Sequence, residues 1–112
     1  MKRFPSVKKN SEFRRIYQEG NSRACGVLVM FVSDNGLSFN RLGISAGKRI
    51  GNSVVRHTFC RRIREIFRLT PADVQGKDII VTARSRAGSA QYRKLEADYL
   101  KLLRDHGLLK EN

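Results

Sequence analysis

Four arginines fall within nine positions of GNSVVRHTFCRRIRE, residues 51–65: Arg56, Arg61, Arg62 and Arg64. Arginine presents a planar fork that grips a phosphate through two N–H donors, so this density points to phosphate recognition. A merely solvated helical face interleaves acids at i, i+4, and here only Glu65 is available. Side chains for covalent or acid–base chemistry are sparse by comparison. No GxSxG, HExxH or GxxxxGK[ST] pattern occurs, and the glycines at 43, 47 and 51 fit no phosphate loop. His57 has no orienting carboxylate beside it in sequence, which favours hydrogen bonding to phosphate or ribose over general-base work. Cys25 and Cys60 lie 35 residues apart without a CxxC, and His57 and His106 are isolated, so reduced structural thiols are expected rather than a metal site.

A second set of residues offers stacking rather than charge. Phe13 and Tyr17 are one helical turn apart, so both rings leave the same side of a helix. Val27, Val29 and Phe31 alternate onto one strand face, and Arg41, Gly43 and Ser45 onto one face of a later strand. Rings beside a basic strip are what single-stranded RNA binding requires. For Val27 and Ile16 the ordinary core reading is preferred.

The elements that must position these groups follow from periodicity. Val55, Phe59, Ile63 and Ile66 form the buried stripe of a helix whose neighbouring face carries His57, Arg61, Arg64 and Arg68. Asn52 or Ser53 supplies its N-cap, and Thr70-Pro71 stops it. Upstream, residues 1–9 are basic and irregular and are expected to be flexible, with Phe4, Pro5 and Val7 as anchors. Asn10 or Ser11 caps the first helix, SEFRRIYQEG, and Gly20 closes it in the C′ role. ACGVLVMFVSD (24–34) reads as a strand, and DNG at 34–36 predicts a hairpin into LSFNRLGISA. GKRIG (47–51) connects to the arginine helix through a very short strand. DIIVTAR (78–84) is a strand of the buried type. Ser89 caps a last helix with the stripe Tyr92, Leu95, Tyr99, Leu102 and Leu103, ended by Gly107. The order is α-β-β-(short β)-α-β-α, an α/β (α+β) sandwich in one domain spanning 1–112.

Composition bounds the partner. The 112 residues carry 23 Lys and Arg against 10 Asp and Glu, a net charge of +13. Residues 41–68 alone hold eight of the cations and one acid. Self-repulsion on this scale calls for a polyanion, and nucleic acid is favoured over membrane because no apolar run nears the ~20 residues of a spanning helix. The N-terminus lacks the apolar region of a signal peptide, so a cytoplasmic protein is expected.

KRIGNSVVRHTFCRRIRE resembles the signature of the bacterial ribonuclease P protein subunit, Lys-Lys-x-Gly-Asn-x-Val-x-Arg-Asn-Arg-x-Lys-Arg-x-x-Arg. Lys48, Gly51, Asn52, Val54, Arg56, Arg61 and Arg64 match it and Arg49 matches it in charge, while His57, Thr58 and Cys60 depart from it. SEFRRIYQEG resembles the family's first helix, RLGISAGKRIG its second strand and KDIIVTAR its last strand, and Phe31 matches an aromatic position. The resemblance implies a sandwich like domain 2 of ribosomal protein S5, with a left-handed βαβ crossover through the arginine helix. It implies that a partner RNA with bound magnesium hydrolyses the phosphodiester at the 5′ end of mature tRNA, the protein holding no metal of its own and no small-molecule substrate. Lys48, Arg49, Asn52, Arg56, His57, Arg61, Arg64 and Arg68 would then meet the catalytic RNA. Phe13, Tyr17, Val29, Phe31, Arg41 and Ser45 would hold the 5′ leader of precursor tRNA. A ribosomal protein or general RNA chaperone is the alternative; a stand-alone nuclease would need an acid cluster or a His pair.

Overall fold

The apolar run at 24–34 is not one strand but the end of one and the whole of the next. Gly26 adopts φ +57°, a conformation that L side chains rarely take, and with Val27 it makes a two-residue turn. In the computed structural model, which describes residues 5–110, that turn joins β1 (Asn21–Cys25) to β2 (Leu28–Asp34). Around this hairpin lie α1 (Asn10–Glu19), β3 (Arg41–Ser45), α2 (Ser53–Leu69), β4 (Lys77–Ala83) and α3 (Tyr92–Asp105). Single 3₁₀ turns at Lys48–Ile50 and Ser85–Ser89 precede α2 and α3. The segment 47–51 is thus a 3₁₀ turn rather than a short strand.

The DNG turn does not make the expected hairpin. The sheet order is β1-β2-β4-β3, with β4 antiparallel to β2 and parallel to β3. The physical reason lies in β4 itself: Asp78, Ile79, Ile80 and Val81 are all buried, and a strand apolar on both faces belongs in the middle of a sheet. The loop after β2 instead runs past the start of β4. There Asn40 donates from Nδ2 to the Val74 carbonyl at 2.9 Å and accepts from the Lys77 N–H at 2.8 Å. β3, α2 and β4 form the parallel crossover, the longer connection that parallel neighbours require.

One sheet face carries Leu28, Met30, Val32, Leu42, Ile79 and Val81 and packs on Phe59, Ile63 and Ile66 of α2 and Leu95, Tyr99, Leu102 and Leu103 of α3. The opposite face is organised as cross-strand rows: Val29, Thr82 and Ser45; then Phe31, Ile80 and Gly43; then Ser33, Asp78 and Arg41. Helix α1 covers part of this face through Ile16, which packs with Val7 and Ile80. The sandwich is therefore unequal, with two helices on one side and one short helix on the other.

Helix ends follow the expected chemistry at α2, where the Asn52 side chain accepts from the Val55 N–H at 3.0 Å. Elsewhere they differ. The N-cap of α1 is Lys9, whose N–H reaches the Glu12 carboxylate at 3.4 Å, instead of Asn10 or Ser11. Gly20 is extended rather than left-handed; its value is space, since a Cβ there would sit 2.5 Å from the Ile16 carbonyl oxygen. Ser89 ends a 3₁₀ turn and Gln91 stands at the N-cap of α3, while Gly107 at φ +72° closes that helix as expected. The basic N-terminal segment is held in place where it is described. Ser6 bridges in parallel to Leu42, and Val7 donates to the Leu42 carbonyl at 2.9 Å, which covers the outer edge of β3. Residues 1–4, including Phe4, lie outside the described residues.

Candidate nucleic-acid interface

The arginine helix divides as its periodicity requires. Phe59, Ile63 and Ile66 are buried, and His57, Arg61, Arg64 and Arg68 are exposed on the outer side. Lys48 and Arg49 are exposed on the 3₁₀ turn that enters the helix, so they extend the same cationic surface. Among the described residues none of Lys48, Arg49, Arg56, Arg61, Arg64 and Arg68 forms an ion pair. Arg62 turns the other way and donates to the Ala90 carbonyl at 3.4 Å, tying α2 to the approach of α3.

A cleft of about 300 Å³ opens where β3 meets α2, lined by Ile44, Ala46, Ser53, Arg56, His57, Cys60 and Arg64. The Arg56 Nε is buried there without a hydrogen-bond partner. Burial pushes the Cys60 thiol up, against the pull of Arg64 and Arg56, so the position stays neutral where the ribonuclease P signature has lysine. Asn52 has a structural duty already, because its side-chain oxygen caps the helix.

The aromatic set converges on the other sheet face. Phe13 and Tyr17 project from α1 with ring centroids 6.3 Å apart, and Tyr17 meets Phe31 of β2 edge-on at 4.7 Å. Phe13 lies against Gly43 of β3, where a Cβ would come within 2.9 Å of its Cζ. Tyr17 is 37% exposed, whereas Phe13 and Phe31 are half-buried. Val29, Thr82 and Ser45 continue the floor in the adjacent row, and the Thr82 hydroxyl is buried without a partner.

Arg41 does not lie free beside these rings, as its alternation with Gly43 and Ser45 suggested. Its Nε and Nη2 each donate to Asp78 at 2.7 Å, and its Nη1 pairs with Glu12 at 2.8 Å. Asp78 is fully buried and also accepts from Arg15 and Asn35, both at 3.0 Å. Burial pushes the Asp78 carboxyl up, but the bonds from Arg41 and Asn35 and the nearby guanidinium charges bring it below its ordinary value. The bond to Arg41 likewise lowers Glu12, and the bonds to Asp78 raise Arg41. Asp78, Glu12, Arg15 and Asn35 escaped the sequence reading. The available signal was an acid opening the apolar run DIIVTAR, because a charge at the head of a buried strand needs partners.

No three His, Cys, Asp or Glu residues among those described are grouped to hold a metal ion, and no helix among them is long and apolar enough to cross a membrane.

Comparison with known proteins agrees with this geometry. The Ribonuclease P family model matches residues 1–107. The ribonuclease P protein component of Natranaerobius thermophilus is 41% identical over 113 residues, covering 100% of this chain and 98% of that one. Among solved structures, the Staphylococcus aureus RNase P protein superposes with a TM-score of 0.87 at 33% identity, covering 96% of this chain and 100% of that one. The Thermotoga maritima RNase P protein gives a TM-score of 0.81 at 27% identity, covering 89% and 96%. A ribosomal protein or general RNA chaperone is not favoured by these relationships. A cationic helix face with no ion pair among the described residues, an aromatic cleft on the opposite side of a four-stranded sheet, and similarity along nearly the whole chain agree: the chain belongs to the ribonuclease P protein family and is a protein subunit of that endoribonuclease.

Proposed function

We propose that the outer face of α2 docks on the catalytic RNA and that the cleft between α1 and the uncovered sheet row holds the 5′ leader of precursor tRNA. The observation that carries this reading is the separation of two chemistries: unpaired cations on α2, and the Phe13–Tyr17–Phe31 ring set on the opposite sheet face. The phosphates of a folded RNA suit the first surface. The bases of a single strand suit the second, and because every base has a π-face, the leader would be bound with little sequence preference. Arg41 serves this cleft by holding α1 rather than by touching RNA. Ser45 closes the floor of the cleft beside Thr82 and Val29, while Lys48 and Arg49 further along the chain belong to the α2 surface.

Magnesium belongs with the RNA in this scheme. The buried carboxylate of Asp78 already receives Arg41, Arg15 and Asn35, leaving it unsuited to a cation. The protein subunit would bind and orient in the cytoplasm while the RNA-held metal supplies the hydrolytic chemistry.

The test compares precursor tRNAs with long and one-nucleotide leaders at limiting magnesium. Phe13→Ala and Phe31→Ala should weaken long-leader binding by roughly 1–3 kcal/mol relative to the short substrate. Equal losses on both substrates with a lowered melting temperature would assign these rings to the core instead.

A further inference from the structure

We propose that Asp78 is the positioning residue of the leader cleft: through Arg41 and Arg15 it fixes the seat of α1 on the sheet, and so the geometry in which Phe13 and Tyr17 meet Phe31. The inference rests on the leader reading above and adds a residue that makes no contact with RNA.

The apolar seat of α1 is small. Ile16 is its only buried residue, and among the described residues the cluster around it contains Val7 and Ile80 as further buried members, with Phe13 and Phe31 packed half-buried against them. With Ile16 alone buried and Phe13 and Tyr17 at the rim of the contact, this apolar seat fixes where the helix rests but restrains its roll about the axis only weakly. A helix is about 10 Å across with side chains, so a roll of roughly 20° carries a ring on its surface by roughly 2 Å. That shift is large for stacking partners.

The polar contacts supply what the apolar ones lack. Asp78 reaches α1 by two arms. One passes through Arg41, which takes both carboxylate oxygens at 2.7 Å and pairs with Glu12 at 2.8 Å. The other is Arg15, whose Nη2 donates to Asp78 at 3.0 Å while its Nη1 donates to the Ser33 hydroxyl at 3.3 Å. The arms join the helix at positions 12 and 15, on either side of Phe13 in the sequence. Asn35 holds the acid from the loop after β2 at 3.0 Å. Buried ion-pair networks contribute little net stability compared with well-packed apolar groups, and their best use is to specify one arrangement among several. A carboxylate joined to three partners remote in sequence beneath a short helix fits that use, and it gives the ring set rigid support.

The experiment uses holoenzyme reconstituted with the catalytic RNA and precursor tRNAs bearing long or one-nucleotide leaders. Asp78→Asn keeps the shape of the group and removes the charge that both arginines share. The KM for the long-leader substrate should rise about five-fold or more, equivalent to about 1 kcal/mol, while the one-nucleotide substrate and kcat stay as in the wild type. Because Asp78 acts through the rings, combining it with Phe13→Ala should give no further loss on the long leader. Glu12→Gln cuts only the outer arm at a half-exposed position, and should shift the same ratio in the same direction by less. It decides the matter if Asp78→Asn does not fold. A wild-type long-to-short ratio in Glu12→Gln and in any folded Asp78→Asn would overturn the proposal. So would equal losses on both substrates, or full additivity with Phe13→Ala. If Phe13→Ala itself left the ratio unchanged, the leader reading would fail, and the role of Asp78 with it.

Discussion

His106, one residue past α3, carries a clear pH signature. Its Nε2 lies 3.0 Å from the Met30 carbonyl oxygen, which can only accept, so Nε2 bears a proton in either charge state of the ring. Burial holds its pKa below the ordinary 6.5, with Arg23 acting the same way and the Met30 bond and Asp105 opposing. Arg15, Glu19, Asp34 and Lys77 line the same cleft of about 400 Å³. A group depressed in the folded state contributes stability that is full above its unfolded pKa and is lost as pH falls through the folded one. The melting temperature should therefore fall on going from pH 7 to pH 5. Asp78 and Glu12 are also depressed, but the stability they contribute is lost only below the ordinary carboxylate range of about 4. His106→Gln, which keeps a donor for Met30, should flatten the melting temperature across that window. An unchanged fall in the variant would place the titrating group elsewhere.

At the scale of elements, α2 was the most legible part of the chain, because its apolar stripe, polar face and asparagine cap all lie within one run of sequence. Two predictions belong to it. Arg61→Ala and Arg64→Ala should each lower the slope of log K against log salt for catalytic-RNA assembly by roughly 0.7–0.9, with secondary structure unchanged by circular dichroism. Identical salt titrations would make the face merely solvated. Asn52→Ala should cost about 1 kcal/mol in denaturant unfolding through loss of the Val55 cap. The sheet was less legible. An apolar run containing Cys25-Gly26-Val27 gives no outward sign of a hairpin, and the placement of β4 between β2 and β3 depends on competition among strands remote in sequence. The ring set could be read because Phe13 and Tyr17 are neighbours on one helix. The Asp78 clamp could not, since it joins residues 37 and 63 positions apart. Arg41 looked like a free cation for the same reason.

At the scale of the whole molecule, a net charge of +13 on 112 residues is opposed by few ion pairs among the described residues, and those lie around Asp78, between Lys77 and Asp34, and along α1 and α3, away from the outer face of α2. Polyanions that bind only the folded chain should stabilise it by mass action. Sulfate or pyrophosphate should accordingly raise the melting temperature above that in chloride of equal ionic strength, and equal values would show that the cations form no anion site. The central claim is that the two sides of the sheet serve two RNAs. Site-specific photocrosslinking in the assembled holoenzyme tests it most directly, with p-benzoylphenylalanine placed at Ser45 in one preparation and at Arg68 in another. Crosslinks should run from position 45 to leader nucleotides of precursor tRNA and from position 68 to the catalytic RNA. Crosslinks from both positions to the same RNA, or the reverse assignment, would contradict it.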